Sequence, residues 1–154
     1  MVHPAAEESF RQGLRSLQLG KGLQALAYFE AAIQIDRQHL KDTQGQARYL
    51  SFYGLCLALE ARKPMEGIRF CREAILIEPF HGDLYHNLCR ALMAANRRRE
   101  AISALVEGQR VEPDHPGLKQ QWQQLGERKK PVLPFLQRSN PLNIALGKIR
   151  GDSN

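Results

Sequence analysis

An all-α fold of stacked helix pairs is what two observations in this 154-residue sequence predict. Apolar residues recur at i, i+3, i+4 and i+7 through successive stretches, the period of helices with one buried face, and glycine, asparagine or proline signals separate them. The helix ends also repeat. Val111-Glu112-Pro113 matches Ile77-Glu78-Pro79 at a spacing of 34, and Ile35-Asp36-Arg37 lies a further 42 residues back.

Taken in order, the first helix follows Pro4. Glu7 and Glu8 fall in its first turn, where acids suit the positive end of the helix dipole, and Phe10, Gly13, Leu14 and Leu17 form its stripe. Gly20-Lys21-Gly22 breaks it, and a partner helix runs through Ala25, Leu26, Phe29, Ala32 and Ile33. The second pair carries Leu50, Tyr53, Gly54, Leu57 and Ala58, then turns near Ala61 to Lys63. Pro64 suits the first position of its partner, where a missing amide costs nothing. That partner buries Ile68, Cys71, Ala74 and Ile75 and stops at Glu78-Pro79, since proline pushes the residue before it out of the helical region. In the third pair the stripes are Leu84, Tyr85, Leu88, Cys89, Leu92 and then Ala101, Ile102, Leu105, Val106, Gly108, with Asn96 expected to cap the second helix. Eight extra residues, HLKDTQGQ at 39–46, separate the first two pairs. Thr43 and Gln46 there read as a capping box that starts the next helix early.

Beyond the third pair, Leu118, Trp122 and Leu125 fall at i, i+4 and i+7 on a segment otherwise of Gln, Lys and Glu. This is the pattern of a capping helix. Burying its indole and two leucines would contribute about 5 kcal/mol before entropy. The tail, 131–154, interleaves Val132, Leu133, Phe135 and Leu136 with prolines and should be partly extended. A short helix at about 141–149 is expected to carry Leu142, Leu146 and Ile149 on one face. Apolar residues at this density are foreign to disordered segments, so these side chains are expected to dock on something.

A helix pair of 34 residues with these positions resembles the tetratricopeptide repeat (TPR) family. That family wants a small residue where the helices cross, at Gly13, Gly54 and Cys89, and alanine early in the second helix, at Ala25, Gly67 and Ala101. A large residue follows four later, at Phe29, Cys71 and Leu105, then a small one at Ala32, Ala74 and Gly108. The closing proline is Pro79 and Pro113 but Arg37 in the first unit. The chain looks like a small bacterial-type TPR protein. The resemblance implies a right-handed α-solenoid of three TPR helix pairs plus a capping helix and a partly extended tail. It places a TPR domain at 1–130, with repeats at about 6–39, 47–80 and 81–115 and the cap at about 117–130.

The resemblance also implies a groove lined by the first helices that takes a partner peptide. Candidates for it are Arg11, Arg15, Gln18, Arg48, Ser51, Phe52, Leu55, His86, Asn87, Arg90 and Met93. Arginines on one face suit an acidic peptide or terminal carboxylate through forked, charge-assisted hydrogen bonds. TPR domains that clamp chaperone C-termini use lysine and asparagine at set positions of these helices. Phe10 and Leu14 stand at two of them here, which argues against a chaperone clamp.

The remaining chemistry is excluded class by class. There is no phosphate loop, dinucleotide fingerprint, zincin helix or nucleophile elbow, so a non-enzymatic protein without cofactor or metal is expected. His39, His81 and His115 share a repeat position, but stacked repeats lie about 10 Å apart, too far to share one metal. Turn capping is the expected role. Of the net charge of +6, five units fall in 116–154, leaving the helical body near neutral, and no nucleic-acid partner is expected. No apolar run spans a membrane and no leader is visible, so a cytoplasmic protein is expected, with Cys56, Cys71 and Cys89 as buried thiols. These readings converge on a non-catalytic adaptor or scaffold for protein binding. The alternative is a tail-mediated homodimer or autoinhibited scaffold, with an anionic membrane surface a lesser choice.

Overall fold

In the computed structural model, residues 3–39 and 45–126 are described. They form seven helices: α1 (Pro4–Gln18), α2 (Gly22–His39), α3 (Gln46–Leu59), α4 (Pro64–Ile77), α5 (Gly82–Ala94), α6 (Arg98–Val111) and α7 (Pro116–Gly126). Consecutive helices pair as α1/α2, α3/α4 and α5/α6. Each pair packs on the next through its first helix: α3 against α2, α5 against α3 and α4, and α7 against α5 and α6. This is an all-α solenoid. Among the described residues no helix is long and apolar enough to cross a membrane.

Local chemistry sets most helix ends. Proline opens α1, α4 and α7, and α4 and α6 end immediately before Glu78-Pro79 and Glu112-Pro113. His3 caps α1, its Nδ1 accepting from the Ala5 amide at 3.2 Å. Within each pair the turn passes through one residue in the left-handed region: Gly20, Arg62 and Asn96, with φ of 70°, 55° and 58°. In the third turn the amides of Asn96 and Arg97 donate to the carbonyls of Met93 and Leu92, closing α5 with paired carbonyl caps. Asn96 therefore ends the first helix. The N-cap of α6 is Arg97, which makes no side-chain capping bond.

The extra residues between the first two pairs act on α2 and not on α3. With Arg37 where the later units have proline, α2 runs to 18 residues, against 14 in α4 and α6. α3 opens at Gln46 behind Gly45, whose φ of 93° suits glycine, and no side chain caps it. Thr43 lies outside the described residues, as does the whole tail with Val132, Leu133, Phe135, Leu136, Leu142, Leu146 and Ile149.

Two apolar clusters fill the interior. The first is aromatic, with Phe10 centred between Tyr49 at 5.0 Å and Phe29 and Phe52 at 5.5 Å each. The second is aliphatic and joins Ile68, Leu88, Leu92, Leu105 and Leu118 with Cys71 and Cys89. Where α3 crosses α4, backbones nearly touch: a Cβ on Gly54 would sit 2.6 Å from the Gly67 carbonyl oxygen. α7 covers the end of the second cluster with Leu118 and Leu125, which are 0% and 5% exposed. Trp122 does not share that burial. It stands at the edge of the contact face and remains 40% exposed, so the cap rests on two leucines.

Candidate functional site: the face of the first helices

α5 shows how the site is built. Its apolar residues Leu84, Leu88 and Leu92 point into the core, and Asn87 reaches α3, donating from Nδ2 to the Ser51 hydroxyl at 3.1 Å. On its other flank His86 meets the start of α7, with its ring 5.8 Å from that of His115 and close against Gly117. The stripe His86, Arg90 and Met93 therefore runs along the first-helix row, between α3 and α7, and all three side chains are half-buried. Among the described residues no carboxylate pairs with Arg90. Its charge acts instead on neighbours. Burial first, and then Arg90 and His115, push the His86 ring down to about 4, with Asp83 pulling the other way.

Other expected site residues are placed differently. Arg48 also makes contacts within the fold: Nη2 donates to Glu7 Oε2 at 3.1 Å, and the guanidinium lies 5.1 Å over the Phe10 ring. Glu7 also accepts from the Tyr49 hydroxyl at 3.1 Å, so one carboxylate ties α1 to α3 across some forty residues. Burial, followed by the charge of Glu7, raises the Tyr49 phenol above its ordinary value. Arg11 is exposed and lies 3.6 Å from Glu7, and Arg15 and Gln18 are exposed. Phe52 packs into the aromatic cluster, edge-on to Phe10. Asn87, expected in the groove, is only 3% exposed, and Ser51 and Leu55 are buried outright. The Ser51 hydroxyl takes one of the Asn87 amide hydrogens, so this side chain joins α5 to α3.

His115 is a functional cap that the repeat spacing anticipates. It is 8% exposed, its Nδ1 accepts from the Leu118 amide at 3.2 Å and its Nε2 lies 2.9 Å from Asp83 Oδ1. A neutral ring protonated at Nε2 satisfies both contacts. His81 is exposed, caps nothing with its side chain and lies 3.4 Å from Glu78. The side chain of His39 lies outside the described residues. Among the described residues no group of three His, Cys, Asp or Glu could hold a metal ion. The three cysteines are buried and unpaired, and burial pushes their thiols up to about 12, 12 and 11 for Cys56, Cys71 and Cys89.

No family model and no curated protein matches the chain. Solved structures do. The TPR domain of Arabidopsis OM64 matches with a TM-score of 0.63 at 19% identity, over 79% of this chain and 94% of that one. The second TPR domain of human RPAP3, solved in complex with the HSP70 peptide SGPTIEEVD, matches with 0.63 at 16% identity, over 83% and 100%. The Sgt2 TPR domain from Aspergillus fumigatus gives 0.65 at 12% identity, over 89% and 93%. The chain therefore has the tetratricopeptide repeat fold.

Proposed function

We propose that this protein is a non-catalytic adaptor that binds an acidic peptide segment or terminal carboxylate of a partner protein on the face of α1, α3 and α5. The observation that carries the reading is Arg90. A half-buried arginine with no carboxylate partner among the described residues still has its forked donors to offer. His86, one turn away, adds a neutral ring with one N–H donor. Arg11 and Arg15 extend the positive character along α1, while Arg48 serves mainly to hold α1 on α3. One similar TPR domain was solved with a peptide ending in EEVD, so the fold accommodates acidic C-termini in that protein. Phe10 and Leu14, both packed against the aromatic cluster, offer no donors at the positions a chaperone clamp uses, so the reading stops at the carboxylate chemistry.

Fluorescence anisotropy with a panel of peptides carrying acidic C-termini tests it. Arg90→Gln should weaken binding at least tenfold, the loss of about 1.5–3 kcal/mol expected for hydrogen bonds to a charged group. Amidating the peptide C-terminus or raising salt should weaken it as well. Affinities left unchanged by Arg90→Gln would overturn the site.

A further inference from the structure

On the opposite side of the solenoid, α4 and α6 stand apart over α5 and leave a cleft of about 430 Å³. Ile75 and Leu76 form one wall, Ala104 the other, and Tyr85, Leu88 and Leu92 the floor. Two large side chains are bare here: Leu76, in the wall, is 85% exposed, and Phe80, four residues on, is 82% exposed. The Tyr85 hydroxyl donates to the Pro79 carbonyl at 3.0 Å, which holds the Pro79-Phe80 turn against the cleft. Exposed apolar side chains contiguous with an apolar cleft mark a covered surface.

We propose that residues 132–149 of this same chain cover that cleft. Three observations select this occupant, and none depends on the peptide-binding reading of the other face. First, the segment lies within reach. The Leu125 carbonyl accepts from Arg98 Nη2 at 2.8 Å, so α7 ends over the first turn of α6, and another face of α6 forms the cleft wall. Passing round one helix takes about 10–12 Å, and residues 127–132 extend to about 20 Å. Second, the chemistry matches. Leu133, Phe135 and Leu136, then Leu142, Leu146 and Ile149, supply large apolar side chains at a density foreign to disordered segments. Third, a tethered segment competes at an effective concentration in the millimolar range, which favours it over a free partner. With the cleft covered from behind, Arg90 stays accessible on the first-helix face.

The test is paramagnetic relaxation in the full-length chain. A nitroxide on Ser103→Cys, at the cleft wall, labels selectively because the native thiols are buried. It should broaden the amide signals of 132–149, while the same label on Arg11→Cys should leave them sharp. Leu76→Lys, at a position too exposed to disturb folding, should abolish the broadening and speed amide exchange in the segment about tenfold. Sharp signals with the Ser103 label, or broadening from the Arg11 label instead, would overturn the proposal. So would broadening of unlabelled, isotope-enriched chains mixed with labelled ones, which would assign the cleft to a second copy.

Discussion

Arg62 sits in the left-handed region with φ of 55°, at the turn where the first pair has Gly20 and the third Asn96. Asparagine tolerates that conformation and glycine adopts it freely, but a long side chain pays roughly 1 kcal/mol there. Arg62→Gly should therefore stabilise the fold by about 0.5–1 kcal/mol, raising the thermal midpoint by a few degrees. Thermal unfolding by circular dichroism measures it, and an unchanged or lower midpoint would contradict the strain. Nothing local to Arg62 announces this geometry. It is imposed because α3 and α4 must fold back on each other at the same angle as their neighbours. His86 likewise owes its behaviour to burial and to Arg90. Its ring titrates near 6.5 in the unfolded chain and at about 4 in the folded one, so the unfolded state takes up its proton first as pH falls. Its contribution is neutral above about pH 7 and costs stability progressively between pH 6.5 and 4. His86→Gln should flatten the loss of stability across that window in urea titrations. Identical pH profiles for the two proteins would refute the shift.

At the scale of elements, signals confined to a few residues read true, and those that depend on neighbours did not. Pro79 and Pro113 stop their helices, and Pro64 starts one, because the constraint is covalent. Asn96 looked like an N-cap and proved to be the left-handed residue after α5, since either end of a helix uses the same residue type. The capping-box reading at Thr43 and Gln46 put the extra length on α3, whereas the missing proline at Arg37 put it on α2. Trp122 shares its helix face with Leu118 and Leu125, yet only the leucines are covered, because the width of the α7 contact is set by α5 and α6. The α3–α4 crossing is the most constrained contact between elements. A methyl on Gly54 meets the backbone oxygen of Gly67 at 2.6 Å, and no rotamer relieves a clash with backbone. Gly54→Ala should cost about 1–3 kcal/mol, seen as a lower urea midpoint at unchanged slope.

Across the whole molecule the buried thiols report on cooperativity. Cys56, Cys71 and Cys89 come from three different helices, are nearly inaccessible and hold their protons up to about 12, 12 and 11. At pH 8 their thiolate fraction is below about 0.1%, so an aromatic disulfide reagent should label all three together, at the rate of global opening. A single thiol reacting ahead of the others would show that one helix pair opens separately. The repeat, the helix pairs and the all-α solenoid were legible along the chain, because apolar periodicity and proline placement act through neighbouring residues and recur at a fixed spacing. Which polar groups face solvent was not. Glu7 looked like a dipole partner and became the tie between α1 and α3. Arg48 and Asn87 read as ligand contacts, and each also bonds across helices, Arg48 to Glu7 and Asn87 to Ser51. Arg90 differs from Arg48 in having no carboxylate partner among the described residues. Helix stripes assign a residue to a face, but the partner it meets there comes from a helix dozens of residues away, and only the packing of the pairs brings the two together.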